Sequence, residues 1–287
     1  MSNPRILYLT ALAMLAFAAN SLLCRLALRG LHIDALSFSC IRLLAGAVTL
    51  ALILRWRAVP AVSSKADRLA AAMLFTYVAF FSFAYLSLSA GSGALILFGT
   101  VQLTMFAAGL RAGERLSRLA WLGVLAAAAG LVWLVAPGVQ APPLLGALSM
   151  ALAGIGWGVY SLRGRGVTDP LAATSRNFNR ATLWAVGLAV ALAIVQPGQT
   201  HADPAGAALA VASGAVASGV GYVVWYAALR GLSALQAASV QLSVPLFAAF
   251  GGVLLLGEAI TPRLALAAPI ILGGIALALV KRQPSKP

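Results

Sequence analysis

Charge is scarce in this sequence, and acid much scarcer than base. Six carboxylates are spread over 287 residues, and only 9% of the chain is charged, against about 25% in soluble domains. Histidine and cysteine are equally scarce, at two each. His32 and His201 fall in predicted loops, so no His/Asp/Glu cluster offers the metal ligands or acid–base pair of a membrane enzyme. No catalytic residue, metal site or cofactor is expected. No glycine-rich phosphate loop is present, which excludes a pump driven by its own ATPase. Cys24 and Cys40 read as small packing residues rather than a disulfide framework. All six carboxylates (Asp34, Asp67, Glu114, Asp169, Asp203 and Glu258) lie in loops or near the ends of apolar segments. A mid-membrane carboxylate of the kind that relays protons in ion-coupled pumps is therefore missing.

What fills the chain is apolar surface: 62% of residues are hydrophobic and the mean hydropathy is +0.96. A hydrocarbon core of about 30 Å needs about 20 apolar residues per helix. Ten stretches qualify, at 6–27, 35–54, 69–88, 92–110, 118–136, 144–162, 174–195, 205–228, 233–255 and 263–280. Their connections are too short to hide a soluble domain. The expected fold class is an all-α polytopic membrane protein with ten transmembrane helices. Arg5, the apolar run and Ala16-Phe17-Ala18 imitate a signal peptide. The run continues through Leu23, however, and is echoed near 146–162, so an uncleaved first helix is expected.

The net charge of +14 would suggest nucleic acid in a soluble protein. Placed along ten alternating spans, fifteen of the twenty Lys and Arg fall on the N-terminal side. Arg25, Arg29 and Arg263 fall on the other, and Arg42 and Arg180 lie within spans. This is the positive-inside asymmetry, and it predicts cytoplasmic termini in a bacterial-type inner membrane. The partners expected are lipid and a small molecule, with no nucleic acid and no obligatory oligomer.

The chain is also written twice. Gly113-Glu114-Arg115-Leu116-Ser117 is echoed by Gly257-Glu258-Ala259-Ile260-Thr261, and a Gly follows each Glu by sixteen residues, at Gly130 and Gly274. A similar offset lays Ala11-Leu12-Ala13-Met14 over Ala147-Leu148-Ser149-Met150, and Arg42 over Arg180. Five spans per copy is an odd number, so the second copy enters the membrane from the opposite side. The domains expected are two inverted five-helix repeats, 1–137 and 142–282, with a short tail at 283–287. Inverted repeats are a recurring basis for alternating access.

Ten helices in two such repeats, each with a Gly-Glu after its fourth helix and a Gly-rich fifth, resemble the EamA-type drug/metabolite transporter superfamily. Arg42 and Arg180 in the second helices and Pro245 in the ninth fit that pattern; Val101, opposite Pro245, departs from it. Within the superfamily the chain most resembles the YddG branch, exporters of aromatic amino acids and methyl viologen. The resemblance implies a secondary transporter for aromatic or large neutral amino acids, with a cavity between helices one, three, four, six, eight and nine. Gating would fall to the helix three–four and eight–nine pairs. An exporter of organic cations is the alternative, and a nucleotide-sugar carrier the third.

Polar and aromatic residues within the spans nominate the site. The first helix carries Phe17, Asn20, Ser21 and Cys24 on one face; Asn20 suits either an amino acid's charged ends or an interhelical bond. The third carries Tyr77, Phe81, Ser82 and Tyr85, and the fourth Thr100. The sixth offers Trp157 and Tyr160 beside Gly154 and Gly158, the eighth Tyr222 and Trp225, the ninth Gln241 and Ser243. Such rings would stack an aromatic side chain and attract an ammonium. Trp56, Trp121, Trp133 and Trp184 read instead as interface anchors. Gly99, Gly154, Gly158, Pro245 and Gly251 are hinge candidates, with close packing or a fixed kink as the other reading. The repeated Glu residues read as ties between helix ends and nearby Arg. Arg42 and Arg180 would satisfy carbonyls or meet a substrate carboxylate.

Overall fold

A computed structural model describes residues 4–57, 67–113, 115–164, 167–196, 198, 200–232 and 234–280. Glu114, and the basic residues Lys65, Arg165, Lys281, Arg282 and Lys286, lie outside the described residues, as does the 283–287 tail. The described chain is all-helical. Its spans are α1 (Pro4–Arg29), α2 (Ala35–Arg55), α3 (Arg68–Tyr85), α4 (Ala90–Arg111), α5 (Arg118–Val135), α6 (Leu144–Gly164), α7 (Pro170–Val195), α8 (Pro204–Leu229), α9 and α10 (Pro262–Val280). Two are irregular. The middle of α8 is a π-helix, Ser213–Val220. α9 consists of Ala234–Gln241 and Ser243–Leu256, broken at Leu242. All ten are long and apolar enough to cross a bilayer.

The scarce carboxylates are spent on helix ends. Asp34, Asp67, Asp169 and Asp203 cap α2, α3, α7 and α8, each accepting from one or two first-turn backbone N–H groups at 2.7–3.1 Å. A capping carboxylate satisfies donors that would otherwise be stranded near the hydrocarbon. The capped helices are themselves related by five places in the order, α2 with α7 and α3 with α8.

Packing follows the same exchange. α3 packs on α6 and α8 on α1; α4 packs on α6 and α9 on α1; α2 on α7, α4 on α9 and α5 on α10 pair with their own counterparts. Replacing each helix by the one five places away leaves this pattern unchanged. The repeated glycines have distinct jobs within it. Gly113 and Gly257 take positive φ (86° and 61°), Gly257 ending α9 in the left-handed region that glycine adopts without strain. Gly130 and Gly274 let α5 and α10 touch: a Cβ on Gly274 would lie 2.6 Å from the Gly123 carbonyl oxygen, and one on Gly130 would lie 2.8 Å from Ile271. Close approach through small residues is how helices associate where lipid removes the hydrophobic drive. The broad apolar surface carries Leu145, Val132 and Phe250 outward. Trp56, Trp121, Trp133 and Trp184 are also exposed, as interface anchors would be.

Candidate functional site

α1, α3, α6 and α8 bring their aromatic residues to one place near the middle of the bundle. Phe17 stands edge-on to Trp157, Tyr222 and Trp225, with centroids 6.1, 6.0 and 5.8 Å away. Trp157 also lies 5.0 Å from Tyr77, 5.6 Å from Tyr160 and 5.2 Å from Tyr222. Offset and edge-to-face pairs at these separations are mutually attractive. Together the rings form a plug with space on both sides.

On the side of the bundle where Arg57, Arg163 and Arg230 lie, a cavity of about 860 Å³ runs inward to the plug. Trp157, Tyr160, Tyr222, Trp225 and Tyr226 form its aromatic wall, with Met105, Ser161 and Gln241 interspersed and Arg57, Asp169 and Arg230 near its mouth. This size and composition suit a small organic ligand. Tyr226, Thr174 and Tyr160 form a hydroxyl chain, at 3.3 and 3.4 Å. Beyond the plug is a chamber of about 10 Å³, room for about one water, lined by Phe17, Asn20, Tyr77, Phe81, Leu97, Phe98, Trp157 and Tyr222. Trp157 and Tyr222 belong to both spaces.

Behind the chamber lies a buried polar cluster. Ser213 Oγ and Ser218 Oγ, both from the π-helical stretch of α8, donate to Asn20 Oδ1 at 2.8 and 3.4 Å. Asn20 therefore makes the interhelical bond that was one of its two readings, while also lining the chamber. Ser39 Oγ donates to Ser82 Oγ at 2.9 Å. Arg42, with none of its surface exposed, donates from Nη2 to the Tyr77 hydroxyl at 3.0 Å and from Nε to Ser218 Oγ at 3.3 Å. Its guanidinium lies 4.9 Å from the Phe81 ring centroid and 5.2 Å from that of Tyr77.

The far end is sealed. Arg25 Nε donates to Glu258 Oε1 at 3.0 Å, and Arg25 Nη1 to the Tyr85 carbonyl at 2.9 Å. Glu258 Oε2 accepts from Ala90 N–H at 2.8 Å, so this carboxylate ties α9 to α1 and α4 together. A clasp between the α1–α2 and α7–α8 connections adds to the seal. His32 Nδ1 and Asp203 Oδ2 are 2.7 Å apart, His201 N–H donates to Asp34 Oδ2 at 2.8 Å, and Ile33 bridges Ala202. Partial burial acts to raise the Asp34 carboxyl, but hydrogen bonds from Ser37, His201 and Leu36 outweigh it and hold it below its ordinary value. Asp203 is also held low, first by the Gly206 N–H and then by His32. At the open end Asp67 pairs with Arg163 and Asp169 with Arg57, the latter at 2.9 Å. Burial opposes the Asp67 shift, yet the Arg163 hydrogen bond and the Ala70 N–H keep its carboxyl low.

The nominated residues thus divide. Trp157, Tyr160, Tyr222, Trp225 and Gln241 line the large cavity; Asn20, Tyr77 and Phe81 line the chamber. Ser21, Ser82 and Tyr85 are buried behind it. Thr100 packs against Gly154, and Thr104 against Gly158, where a Cβ would come within 2.7 and 2.9 Å. Gly99 faces Leu131 and Gly251 faces Leu22 in the same close manner. Ser243 Oγ bonds the Val240 carbonyl at 2.7 Å, at the break in α9 just before Pro245. Proline at 245 has no N–H to offer the Gln241 carbonyl, which accounts for a break at this point. Phe17 and Tyr226 join the site without having been nominated; each shares a helical face with a nominated residue, Asn20 and Tyr222.

A ten-span helical bundle whose main helix pairs map onto one another by exchange, with a large cavity open at one end and polar ties across the other, has the form of a membrane transporter. Residues 144–280 match the EamA-like transporter family. A relative from Pseudomonas aeruginosa, described as an uncharacterized protein, is 55% identical over 98% of this chain and 97% of its own. The chain belongs to the EamA-like transporter family. A solved crystal structure of a protein at 22% identity superposes with a TM-score of 0.62, covering 93% of this chain and 98% of that one; it shares the fold.

Proposed function

We propose that the protein exports aromatic or large neutral amino acids across the bacterial inner membrane by alternating access. The observation that carries this reading is the aromatic-walled cavity of about 860 Å³ reaching mid-bundle, separated by one layer of rings from the small chamber that Asn20 lines with Tyr77 and Tyr222. The rings would stack the substrate side chain, and the polar groups would receive its charged ends. Residues 1–137 and 142–282 form the two inverted repeats, which rock about this site. With both termini in the cytoplasm, the open cavity faces inward. The helix three–four and eight–nine pairs gate it, with the Pro245 break one point at which α9 bends.

The aromatic wall would also suit an organic cation such as methyl viologen. Among the described residues, however, no carboxylate lies within the chamber lining, and at the cavity mouth the one carboxylate, Asp169, is paired with Arg57 while Arg230 adds a further positive charge. Uptake of labelled Phe, Trp, Thr and Met into proteoliposomes, with methyl viologen as competitor and with or without a pH gradient, tests the proposal. Saturable amino-acid flux is expected, and its response to the gradient reports proton coupling. Methyl viologen movement with no amino-acid flux above empty liposomes overturns the proposal in favour of the cation reading.

A further inference from the structure

Among the described residues Arg42 is the most deeply buried charge, and none of them neutralises it. It lies in the eighth position of α2, about 11 Å along the helix axis at 1.5 Å per residue. Arginine keeps its charge even when buried. Among the described residues no Asp or Glu forms an ion pair with it, and its Nη1 atom is buried without a hydrogen-bond partner. Its hydrogen-bond partners are neutral hydroxyls, on Tyr77 and Ser218. Ring faces at about 5 Å attract a cation, but they carry no net charge to oppose it.

An unpaired charge in a low-dielectric interior is costly, so buried charges normally have a partner. A purely structural arginine would spend its donors on carbonyls or a carboxylate. Arg263 does so at the surface, bonding the Trp133 and Ala136 carbonyls. The residues Arg42 touches belong to the chamber instead. Tyr77 and Phe81 are two of its walls, and Ser218 bonds Asn20, a third. The hydroxyl of Tyr222, another wall, is buried and unpartnered as well. A free guanidinium N–H behind the Tyr77 and Phe81 walls and a free phenol on another wall of the chamber constitute an incomplete anion site. A planar carboxylate matches a guanidinium's paired donors.

We propose that Arg42 is the carboxylate-binding centre of the transport site, with the Tyr222 hydroxyl as a further donor. The site therefore selects substrates carrying a carboxylate and rejects those that offer only a cation. This rests on the amino-acid reading for its ligand class and narrows it to one functional group. The chamber holds about one water as it stands, so the carboxylate reaches Arg42 when the Phe17, Trp157 and Tyr222 rings separate.

The test is equilibrium binding to the purified full chain in nanodiscs, using L-phenylalanine, 3-phenylpropionate, L-phenylalaninamide and 2-phenylethylamine. Wild type should bind the two carboxylates at least about tenfold more tightly than the amide and the amine, the range of a charged hydrogen bond. In Arg42→Gln the affinity for L-phenylalanine should fall about 10- to 100-fold and the preference over the amide should vanish; Arg42→Lys should retain part of it. Equal wild-type affinity for L-phenylalanine and its amide overturns the inference, and this comparison decides even if the variants fail to fold. Unchanged L-phenylalanine affinity in folded Arg42→Gln overturns it while leaving the amino-acid reading intact. Arg42-dependent binding of 3-phenylpropionate without L-phenylalanine upholds the carboxylate centre and overturns the amino-acid reading. Binding of none of the four overturns both.

Discussion

Replacing Glu258 by Gln should unlock the sealed end of the transporter. The carboxylate is shielded, with side-chain exposure of 10% against 15% for Arg25, so bulk water screens the pair little. Gln keeps the shape, but its single acceptor oxygen can serve only one of the two donors, Arg25 Nε at 3.0 Å and Ala90 N–H at 2.8 Å, and its amide NH2 faces the other. One charged bond is lost and the other becomes neutral, so the substitution should cost the closed arrangement at least about 2 kcal/mol. If these bonds exist only while that end is shut, the equilibrium moves about 30-fold toward opening it, since each 1.4 kcal/mol is about tenfold. Leu88 provides a reporter. It is 1% exposed and immediately precedes Ser89, the cap of α4, at the sealed end. In a chain carrying Leu88→Cys with Cys24→Ala and Cys40→Ala, Glu258→Gln should speed labelling by a membrane-impermeant maleimide about 30-fold. An unchanged labelling rate in folded protein would refute the claim that this ion pair holds the end shut.

Trp157→Ala removes the ring shared by cavity and chamber, together with its contacts to Phe17, Tyr77, Tyr160 and Tyr222. Proteoliposome flux per folded protein should fall about tenfold, as loss of one or two aromatic pair energies implies; unchanged flux removes Trp157 from the pathway. Gly274→Ala forces a Cβ onto the Gly123 carbonyl, whereas a Cβ at Gly187 meets nothing within 4 Å. The first should destabilise by about 1–3 kcal/mol and Gly187→Ala should be neutral or stabilise by up to about 1 kcal/mol, as measured by thermal unfolding in detergent. The clasp at the sealed end should respond to acid. Its Asp34 and Asp203 carboxyls are held below their ordinary values in the folded protein. Their stabilisation is thus complete above an unfolded pKa of about 3.9 and lost as pH falls through the lower folded values. Thermal stability should show that acid limb below about pH 4, and Asp34→Asn with Asp203→Asn should flatten it; an unchanged limb in the double variant would refute the assignment.

Much of this architecture was legible in the sequence because the bilayer acts on local properties. Each span must present about 20 apolar residues and satisfy its own backbone, so the ten stretches stood out without any knowledge of their packing. Helix ends were less sharp: α1 and α7 run beyond the apolar windows, because arginines and Asp caps extend a helix past the hydrocarbon. The Gly-Glu repeat was visible as a pattern, but not the division of labour in which Gly257 turns the chain and Glu258 reaches Arg25, 233 residues earlier. The π-helical stretch of α8 was not legible either. Its hydrogen-bond register is coupled to Ser213, Ser218 and Gly214, which meet Asn20 and the Arg42 backbone across the bundle.

Hydropathy and charge placement by themselves determined that this chain is a ten-helix membrane protein, since insertion depends on composition summed along each segment. The aromatic and polar composition of the candidate site was also present in the one-dimensional pattern. Only the tertiary structure decided which of those residues share a space. It set Trp157 and Tyr222 between two compartments, and Ser82 and Tyr85 behind them. It turned Thr100 into a packing contact against Gly154, and left Arg42 buried with no counter-charge among the described residues. Those outcomes depend on distances between helices far apart in sequence, and on which end of the bundle is closed. Helical periodicity specifies the face a residue occupies on its own helix, not the helix that face will meet.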